Sequence, residues 1–550
     1  MLTITISEKT KTFAPGTDVS AIIDSFFPGR TPRPIAVYIK GRLRPLNFCP
    51  EEDCTLTILD YTDEEGRRVY ERSLRFLFLI AAEDVLPGAQ VRIEHSAGYG
   101  LFINIKNNAL TKELVQKIED RMKALRDSAL PFVRERWSRD DAIRYFESRG
   151  HTDKLRLLSY RPFDYFDMYS CRGYHEYFYG DMLPATDHVH TFALIHHPPG
   201  IVLQMPLPTN PDIVAPFIER RQMMRAFAET ARWNEILACE NAADLNDMMR
   251  DDRLREFVRV SEALQEKSIA DIADRIVHHG AKVVFIAGPS SSGKTTFTNR
   301  LAIQLRVNGL RPIMLSLDNY YQNIANIPLD EDGKPDLECL EALDTALLGE
   351  QLRALLRGET VEVPRFSFQT NSRKPEGLSL HVEDDQPILI EGIHGLNPKL
   401  ADGISHEHSY RIYISALTTL NLDDHNRIRT TDIRLLRRLV RDKQFRGTPF
   451  HETFSMWTSV RRGEEKYIFP FQENADIMFN SALAYEPAVW RKYAYDDLNA
   501  FTPDDSYFTV ARRLVKFLNY FLPADVESEL GPTAILREFI GGCSFYLKSK

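Results

Sequence analysis

The stretch Val283-Val-Phe-Ile-Ala-Gly288-Pro-Ser-Ser-Ser-Gly293-Lys294-Thr295 decides the fold of the second half of the chain. An apolar run that suits a buried strand leads into the pattern Gly-x-x-x-x-Gly-Lys-Ser/Thr, and a helical pattern follows from Thr296 to Leu305. The backbone N–H groups of such a turn point at phosphate oxygens, and the start of the helix adds partial positive charge. The sequence therefore predicts a phosphate-binding loop.

Two members of this loop have distinct expected roles. Lys294 should reach the terminal phosphates of a nucleotide, and the hydroxyl of Thr295 should ligate Mg²⁺. The other members are expected to line the phosphates: Gly288, Pro289, Ser290, Ser291, Ser292, Gly293 and Thr296. The loop predicts nucleotide binding without defining the reaction, because ATPases, GTPases and small-molecule kinases share it.

Apolar stretches alternate with helical patterns on both sides of the loop. After the first strand they read IMLSL (313–317), ILIEGI (388–393), YRIYIS (410–415) and ADIMFN (475–480). This alternation is typical of a parallel sheet covered by helices on both faces. We therefore predict an α/β domain over residues 280–520.

Two acidic residues lie at the ends of the predicted strands IMLSL and ILIEGI. Asp318 comes after IMLSL, where ligands of open α/β sheets bind, and it could accept the proton of an attacking hydroxyl. Glu391 ends the third strand and could orient Mg²⁺ through water. The alternatives are a helix-capping role for Asp318 and a backbone-bonded structural role for Glu391.

An arginine run and an aromatic stretch complete the candidate site. The run contains Arg434, Arg437, Arg438, Arg441 and Arg446. It is either a solvated helix surface or a lid that brings arginines to a transferring phosphoryl group, and we favour the lid. The stretch 363–374 places aromatic side chains at alternate positions, which suits either a hairpin surface or a platform for a base.

These motifs, in this order, resemble the uridine kinase family of P-loop kinases, which includes phosphoribulokinase-like enzymes. The resemblance covers about residues 281–500 and implies ATP as phosphoryl donor and Mg²⁺ as cofactor. It implies that Asp318 activates the 5′-hydroxyl of a nucleoside and that Arg441 and Arg446 face the phosphates. The substrate-binding residues that it implies, besides Asp318, are Tyr321, Glu338, Phe366, Phe368, Asn371 and Arg438.

The chain departs from the family pattern at three of these positions. Phe366 and Asn371 stand where the family usually reads the base with a tyrosine and a histidine. Glu338 stands where the family usually holds the ribose with an aspartate. Since hydrogen bonds to a base edge carry discrimination, the substrate class of nucleoside is better supported than uridine itself.

Composition narrows the classes of protein that remain. The chain has 550 residues, 43% of them hydrophobic, and a formal net charge of −9, so disordered, fibrous and generally nucleic-acid-binding proteins are disfavoured. No apolar run reaches the ~18 residues of a membrane span, and the N-terminal stretch lacks a signal-peptide core. With six scattered cysteines and no Cys-x-x-Cys pair, we expect a cytoplasmic protein without a membrane partner.

The first half is predicted to hold two further domains and a connector. Residues 1–62 read as a β-grasp unit and resemble a TGS domain. Residues 63–215 are an α+β segment that resembles the editing-type second domain of threonyl-tRNA synthetases. Residues 216–279 are helical in pattern and connect to the kinase-like domain, and 521–550 form a C-terminal tail without a recognisable motif.

The resemblance to the editing domain leaves its metal site incomplete. Cys171 and His175 match half of that site, but the two histidines of the earlier helix are replaced by Arg72 and Phe76. The rival function is a regulatory NTP-binding protein whose first half binds RNA, the ribosome or a small effector. A kinase of another small alcohol is the second alternative, and a homo-oligomer is compatible with each.

Overall fold

Residues 1–62 form a mixed five-stranded sheet with a helix on it in the computed structural model, which describes residues 1–367, 370–401 and 405–546. The elements are β1 (Leu2–Ile6), β2 (Lys9–Phe13), α1 (Val19–Phe26), β3 (Ala36–Ile39), β4 (Arg42–Pro45) and β5 (Cys54–Leu59). The strand order is β2-β1-β5-β3-β4, with β1 and β5 parallel. The assignment of residues 1–62 as a β-grasp unit and their resemblance to a TGS domain stay predictions.

Residues 63–215 combine buried helices with antiparallel sheets. The elements are α2 (Glu64–Val85), β6 (Gln90–Ala97), β7 (Gly100–Lys106), α3 (Lys112–Asp127), β8 (Val133–Ser138), α4 (Arg139–Ser148), α5 (Thr152–Tyr160), β9 (Tyr165–Cys171), β10 (Tyr174–Tyr177), β11 (Ala193–His197), β12 (Gly200–Gln204), β13 (Pro206–Leu207) and β14 (Asn210–Val214). One sheet has the order β11-β12-β7-β6 and another has β10-β9-β8. The apolar stretch 74–82 lies in α2 and is buried.

Three helices connect this region to the second half, as their continuous helical pattern predicts. They are α6 (Arg221–Ile236), α7 (Ala242–Arg250) and α8 (Leu254–His279). Gly280 ends α8 in the left-handed conformation, with φ 72°, which glycine adopts without steric cost.

The second half contains the parallel sheet that the alternating pattern predicts. Its elements are β15 (Val283–Ala287), α9 (Lys294–Val307), β16 (Ile313–Ser316), α10 (Thr345–Leu356), β17 (Val361–Val363), β18 (Phe366–Ser367), β19 (Ser372–Arg373), β20 (Leu378–Leu380), β21 (Ile388–Glu391), β22 (Ser409–Ser415), β23 (Asn421–Asp423), β24 (Asn426–Arg427), α11 (Thr430–Arg441), α12 (Phe450–Gly463), β25 (Ile477–Asn480), α13 (Glu486–Asn499), α14 (Phe508–Leu518) and α15 (Arg537–Ile540). The sheet order is β16-β21-β15-β22-β25, and every pair is parallel.

Alternate residues of β15 supply the two cores on either side of this sheet. Val284 and Ile286 face α8 and α9, whereas Val283 and Phe285 face α10 on the other side. Both sides of the strand are therefore apolar, as expected of a strand buried on two faces. No helix in the described part of the chain has both the length and the apolar character of a bilayer-spanning segment.

A buried ionic network joins the first half to the second. The Lys154 ammonium of α5 lies 2.7 Å from Glu176 of β10 and 3.1 Å from Asp423 of β23. Arg68 of α2 pairs with Asp432 at the start of α11, at 3.0 Å. One apolar cluster also runs through both halves, including residues of α4, β9 and the parallel sheet. The first half therefore forms part of the packing around the second.

Replacing Lys154 by Met should destabilise the whole protein. The change leaves the carboxylates of Glu176 and Asp423 buried without their cation, and breaking such a pair costs about 3–5 kcal/mol of unfolding free energy. Denaturant unfolding followed by far-UV circular dichroism measures the effect. The matched control Arg357→Gln removes the exposed pair with Glu359 and should leave the midpoint unchanged. Equal midpoints for both variants would contradict the role of the network.

Candidate active site

The phosphate loop curls between β15 and α9 in the conformation that its glycines permit. Gly293 has φ 85°, a left-handed conformation, and its next residue begins α9. A Cβ on Gly288 would lie 2.1 Å from the carbonyl oxygen of Ile414 in β22, so no larger residue fits there. The Ser291 and Ser292 hydroxyls are buried and lack a hydrogen-bond partner among the described residues. The loop thus keeps polar groups for a ligand.

Two buried arginines of α11 hold the loop from behind. Arg434 donates to the Ser290 carbonyl at 3.0 Å and pairs with Glu464, which itself accepts from the Ser290 N–H. Arg437 donates to the Ser291 carbonyl at 3.3 Å. Arg434 and Arg437 therefore support the loop in this structure, and the lid role of Arg441 and Arg446 stays a prediction.

Lys294, Thr295 and Glu391 meet at the base of the loop. The Thr295 hydroxyl donates to Glu391 at 3.2 Å, and the Lys294 ammonium donates to the Pro289 carbonyl at 3.2 Å. Burial raises the pKa of Glu391 to about 7, against the opposing effect of Lys294. Burial also lowers the pKa of Lys294. A hydroxyl beside a carboxylate is the hard-oxygen donor set that Mg²⁺ takes together with nucleotide phosphates.

Asp318 lies at the same edge of the sheet as Glu391, because β16 and β21 are parallel neighbours. Asp318 is exposed as a residue, but the surrounding protein desolvates its carboxyl group and raises its pKa, although Lys294 and Arg446 act in the opposite direction. Its backbone N–H donates to the Ser316 hydroxyl at 3.3 Å. The side chain therefore sits within the electrostatic field of Lys294 and is reachable by a hydroxyl from solvent.

Tyr321, Phe366 and Glu338 line the side of the cleft beyond Asp318. The Tyr321 and Phe366 rings lie 5.5 Å apart, and the Tyr321 hydroxyl donates to the Leu337 carbonyl at 2.8 Å. Burial raises the pKa of Glu338 to about 7, with Arg438 and Lys294 opposing the shift. Arg438 donates to the Ser290 hydroxyl at 2.9 Å, which links this side of the cleft to the phosphate loop.

The remaining predicted residues lie in three different environments. Arg441 pairs with the buried Asp442 at 2.8 Å, and Arg446 approaches the same carboxylate at 3.6 Å with 58% of its side chain exposed. Asn371 is exposed at a turn, and its carbonyl accepts from Ile324 N–H. Phe368 lies outside the described residues. Of these, Arg446 is close enough to influence the pKa of Asp318.

A sequence model described as "Phosphoribulokinase / Uridine kinase family" matches residues 283–485, the region that carries this geometry. The uridine kinase of Bacillus pumilus is 32% identical over 198 residues, which are 36% of this chain and 84% of that protein. The chain belongs to the phosphoribulokinase / uridine kinase family. The uridine kinase of Staphylococcus epidermidis is 31% identical over 198 residues, 36% of this chain and 86% of that protein.

A solved structure titled as a possible uridine kinase from Bacillus stearothermophilus is 19% identical and covers 39% of this chain and 98% of that one. Its TM-score of 0.28 is too low to support a conclusion. The family match thus identifies residues 283–485 as a P-loop kinase region, and it does not extend to residues 1–282 or to the C-terminal segment.

Two glutamates that contact the phosphate loop, Glu464 and Glu538, could not be recognised in the sequence. Glu464 follows α12 and braces the loop through Arg434, and no motif marks it. Glu538 accepts from the Thr296 hydroxyl at 2.6 Å, although it lies in the C-terminal segment. Each belongs to a part of the chain that only folding brings to the loop. The one hint to Glu464 in the sequence is that an arginine run such as 434–446 needs acidic partners when it is buried.

The candidate metal-binding residues of the first half, Cys171 and His175, are not part of a larger group of possible ligands in the described residues. Cys171 is buried, and burial raises the pKa of its thiol to about 11, so it is protonated near neutral pH. The His175 ring lies 4.7 Å from the Trp137 ring, tilted by 47°, and its Nε2 lies 3.8 Å from Glu135. Within the described residues, no three His, Cys, Asp or Glu side chains are grouped to hold a metal ion. The sequence favours Cys171 and His175 as structural remnants over a working metal or hydrolytic site, and this stays a prediction.

The pKa of Glu391 predicts how the Mg²⁺ requirement changes with pH. Below pH 7 this carboxyl is mainly protonated and a poor ligand, and above pH 7 it is mainly ionised. Between pH 6 and 8, the free Mg²⁺ needed for half-maximal phosphotransfer should therefore fall about tenfold. Glu391→Gln should lose this dependence, whereas Glu338→Gln should keep it. A dependence that survives in Glu391→Gln would contradict the assignment.

Proposed function

We propose that the protein transfers the γ-phosphoryl group of ATP to the 5′-hydroxyl of a nucleoside. The observation that carries this proposal is the position of Asp318. It follows the C-terminal end of β16, on the same side of the sheet as the phosphate loop that follows β15. A nucleotide switch needs the loop, but it does not need an acid such as Asp318 between the loop and the aromatic residues Tyr321 and Phe366. Family membership supports a phosphotransferase, and the uridine kinase relatives support a nucleoside as acceptor.

The chemistry follows from the charges around the cleft. Asp318 accepts the proton of the acceptor hydroxyl, whose oxygen then forms a bond to the γ-phosphorus as the bond to the β-phosphate oxygen breaks and ADP leaves. Lys294 and Arg446 stabilise the negative charge on the transferring group, with Arg441 placed beside them. Thr295 and Glu391 would hold Mg²⁺, which screens the phosphate charges when it is bound.

The residues expected to contact the acceptor do not define which nucleoside base is accepted. Phe366 offers a ring face but no hydroxyl to the base, and Asn371 is an exposed turn residue. Glu338, whose carboxyl is influenced by the charges of Arg438 and Lys294, would accept from sugar hydroxyls. The cleft therefore favours recognition of the sugar over recognition of the base edge, and we expect it to discriminate weakly among pyrimidine and purine bases.

The experiment that tests this function is ATP-dependent phosphorylation of an acceptor panel by the full chain. The panel holds uridine, cytidine, adenosine, guanosine, ribulose 5-phosphate and pantothenate, with products separated by chromatography. We expect nucleoside 5′-monophosphates. Phosphorylation of ribulose 5-phosphate or pantothenate alone would replace the nucleoside by another alcohol. ATP binding without phosphorylation of any acceptor would favour the regulatory alternative.

Asp318→Asn should retain ATP binding and lose turnover. The amide is the same size as the carboxylate but cannot accept the hydroxyl proton, so kcat should fall by about 10²–10⁴-fold. ATP binding by calorimetry and kcat with the best nucleoside of the panel give the two readouts. Asp385→Asn, which alters an acid paired with Arg311 at the surface, is the matched control. An unchanged kcat in Asp318→Asn would exclude it as the base.

A further inference from the structure

The C-terminal segment, residues 519–546, runs back across the kinase region to the phosphate loop. Its apolar side chains are buried in the same core as the parallel sheet, and α15 packs against α11. The side chains buried in this way are Ala524, Val526, Leu530, Ala534, Ile535, Leu536 and Phe539. The segment lies outside residues 283–485, which match the family, so the family resemblance does not account for it.

Three residues of this segment contact the loop itself. Ile535 lies so close that its Cγ2 would be 2.7 Å from a Cβ on Gly293. Glu538 accepts from the Thr296 hydroxyl at 2.6 Å and from the Thr296 N–H at 3.4 Å. The Tyr546 hydroxyl lies 3.4 Å from that of Thr296. Thr296 is fully buried beneath these contacts.

The donors that Glu538 occupies are those that an incoming phosphate needs. The Thr296 N–H belongs to the first turn of α9, whose N–H groups have no carbonyl partner within the helix and favour an anion. A carboxylate oxygen and a phosphate oxygen cannot take the same donors at once. The Glu538 charge also acts on Lys294, Glu391 and Arg446, all members of the phosphate side of the cleft.

We propose that Glu538 is a built-in competitor of the nucleotide phosphates and thereby sets the affinity for ATP. In the chain without nucleotide it takes the place of a phosphate oxygen at Thr296, and binding of a triphosphate displaces it. The inference rests on the proposed function only in placing the ATP phosphates on residues 288–296. It makes the C-terminal segment a part of the nucleotide site that residues 283–485 alone do not supply.

Glu538→Gln tests this competition in the full chain. The amide keeps the size of the side chain but removes the negative charge, so it is a weaker rival for the Thr296 donors. Calorimetric Kd values for ATP and for inorganic pyrophosphate should fall about 3- to 10-fold. The Kd for adenosine, which carries no phosphate, should not change. The matched control Glu529→Gln alters an acid of the same segment that pairs with Arg259 of α8, and it should leave all three values as they are.

Each outcome decides the proposal. Unchanged or weaker binding of ATP and pyrophosphate in a Glu538→Gln protein with wild-type thermal stability overturns it, since Glu538 would then support the loop or contact the bound nucleotide. If Glu538→Gln lowers thermal stability, Glu538→Asp provides the second test, because the shorter acid withdraws from Thr296 and should also tighten ATP binding. Tighter ATP binding without phosphorylation of any nucleoside sustains this inference and rejects the proposed function. If the protein phosphorylates a nucleoside and Glu538→Gln leaves ATP binding unaltered, the proposed function is sustained and this inference is rejected.

Discussion

Buried arginines behind the phosphate loop are the constraint on which the rest of the site depends. Two carbonyl groups of the loop, at Ser290 and Ser291, point away from the cleft and accept from Arg434 and Arg437. Because these carbonyls are held from behind, the loop can turn N–H and hydroxyl groups towards the cleft. Each arginine is itself neutralised by a buried glutamate, Glu464 or Glu486, so neither cation is left unpaired in the core. The loop is thus shaped before any ligand arrives.

The cleft in front of this loop brings three acidic side chains within the electrostatic influence of Lys294. Desolvation by the surrounding protein raises the pKa of Asp318, Glu338 and Glu391, and Lys294 is the cation common to the charges that oppose each shift. Such an arrangement is unfavourable for three ionised acids, and a Mg²⁺ ion held beside them would reduce their mutual repulsion. Perturbed acids that share one lysine are typical of functional sites. This is the physical reason for treating the three carboxylates as one unit.

The sequence predicted the parts of this structure that local patterns specify. The alternation of apolar runs and helical patterns was sufficient for the five parallel strands, and the Gly-x-x-x-x-Gly-Lys-Thr pattern was sufficient for the loop. It could not separate Arg434 and Arg437 from Arg441 and Arg446, because burial depends on what packs against α11. It also could not place Glu538, since this residue reaches Thr296 only after the chain has crossed the kinase region. Contacts between residues separated by hundreds of positions leave no periodic signal.

The ionic network between α2, α5 and the second half has a consequence for how the molecule comes apart. Because one apolar cluster extends from α4 and β9 into the parallel sheet, neither half can open without exposing the other to water. Heating is therefore expected to melt the region of α4 and β9 together with the parallel sheet in one calorimetric transition, whereas residues 1–62 hold a separate apolar cluster. Substitutions in α5 or β23 would therefore lower the amount of folded protein and leave the reaction rate of the folded molecules unchanged. The amount of folded enzyme would thus depend on residues remote from the nucleotide.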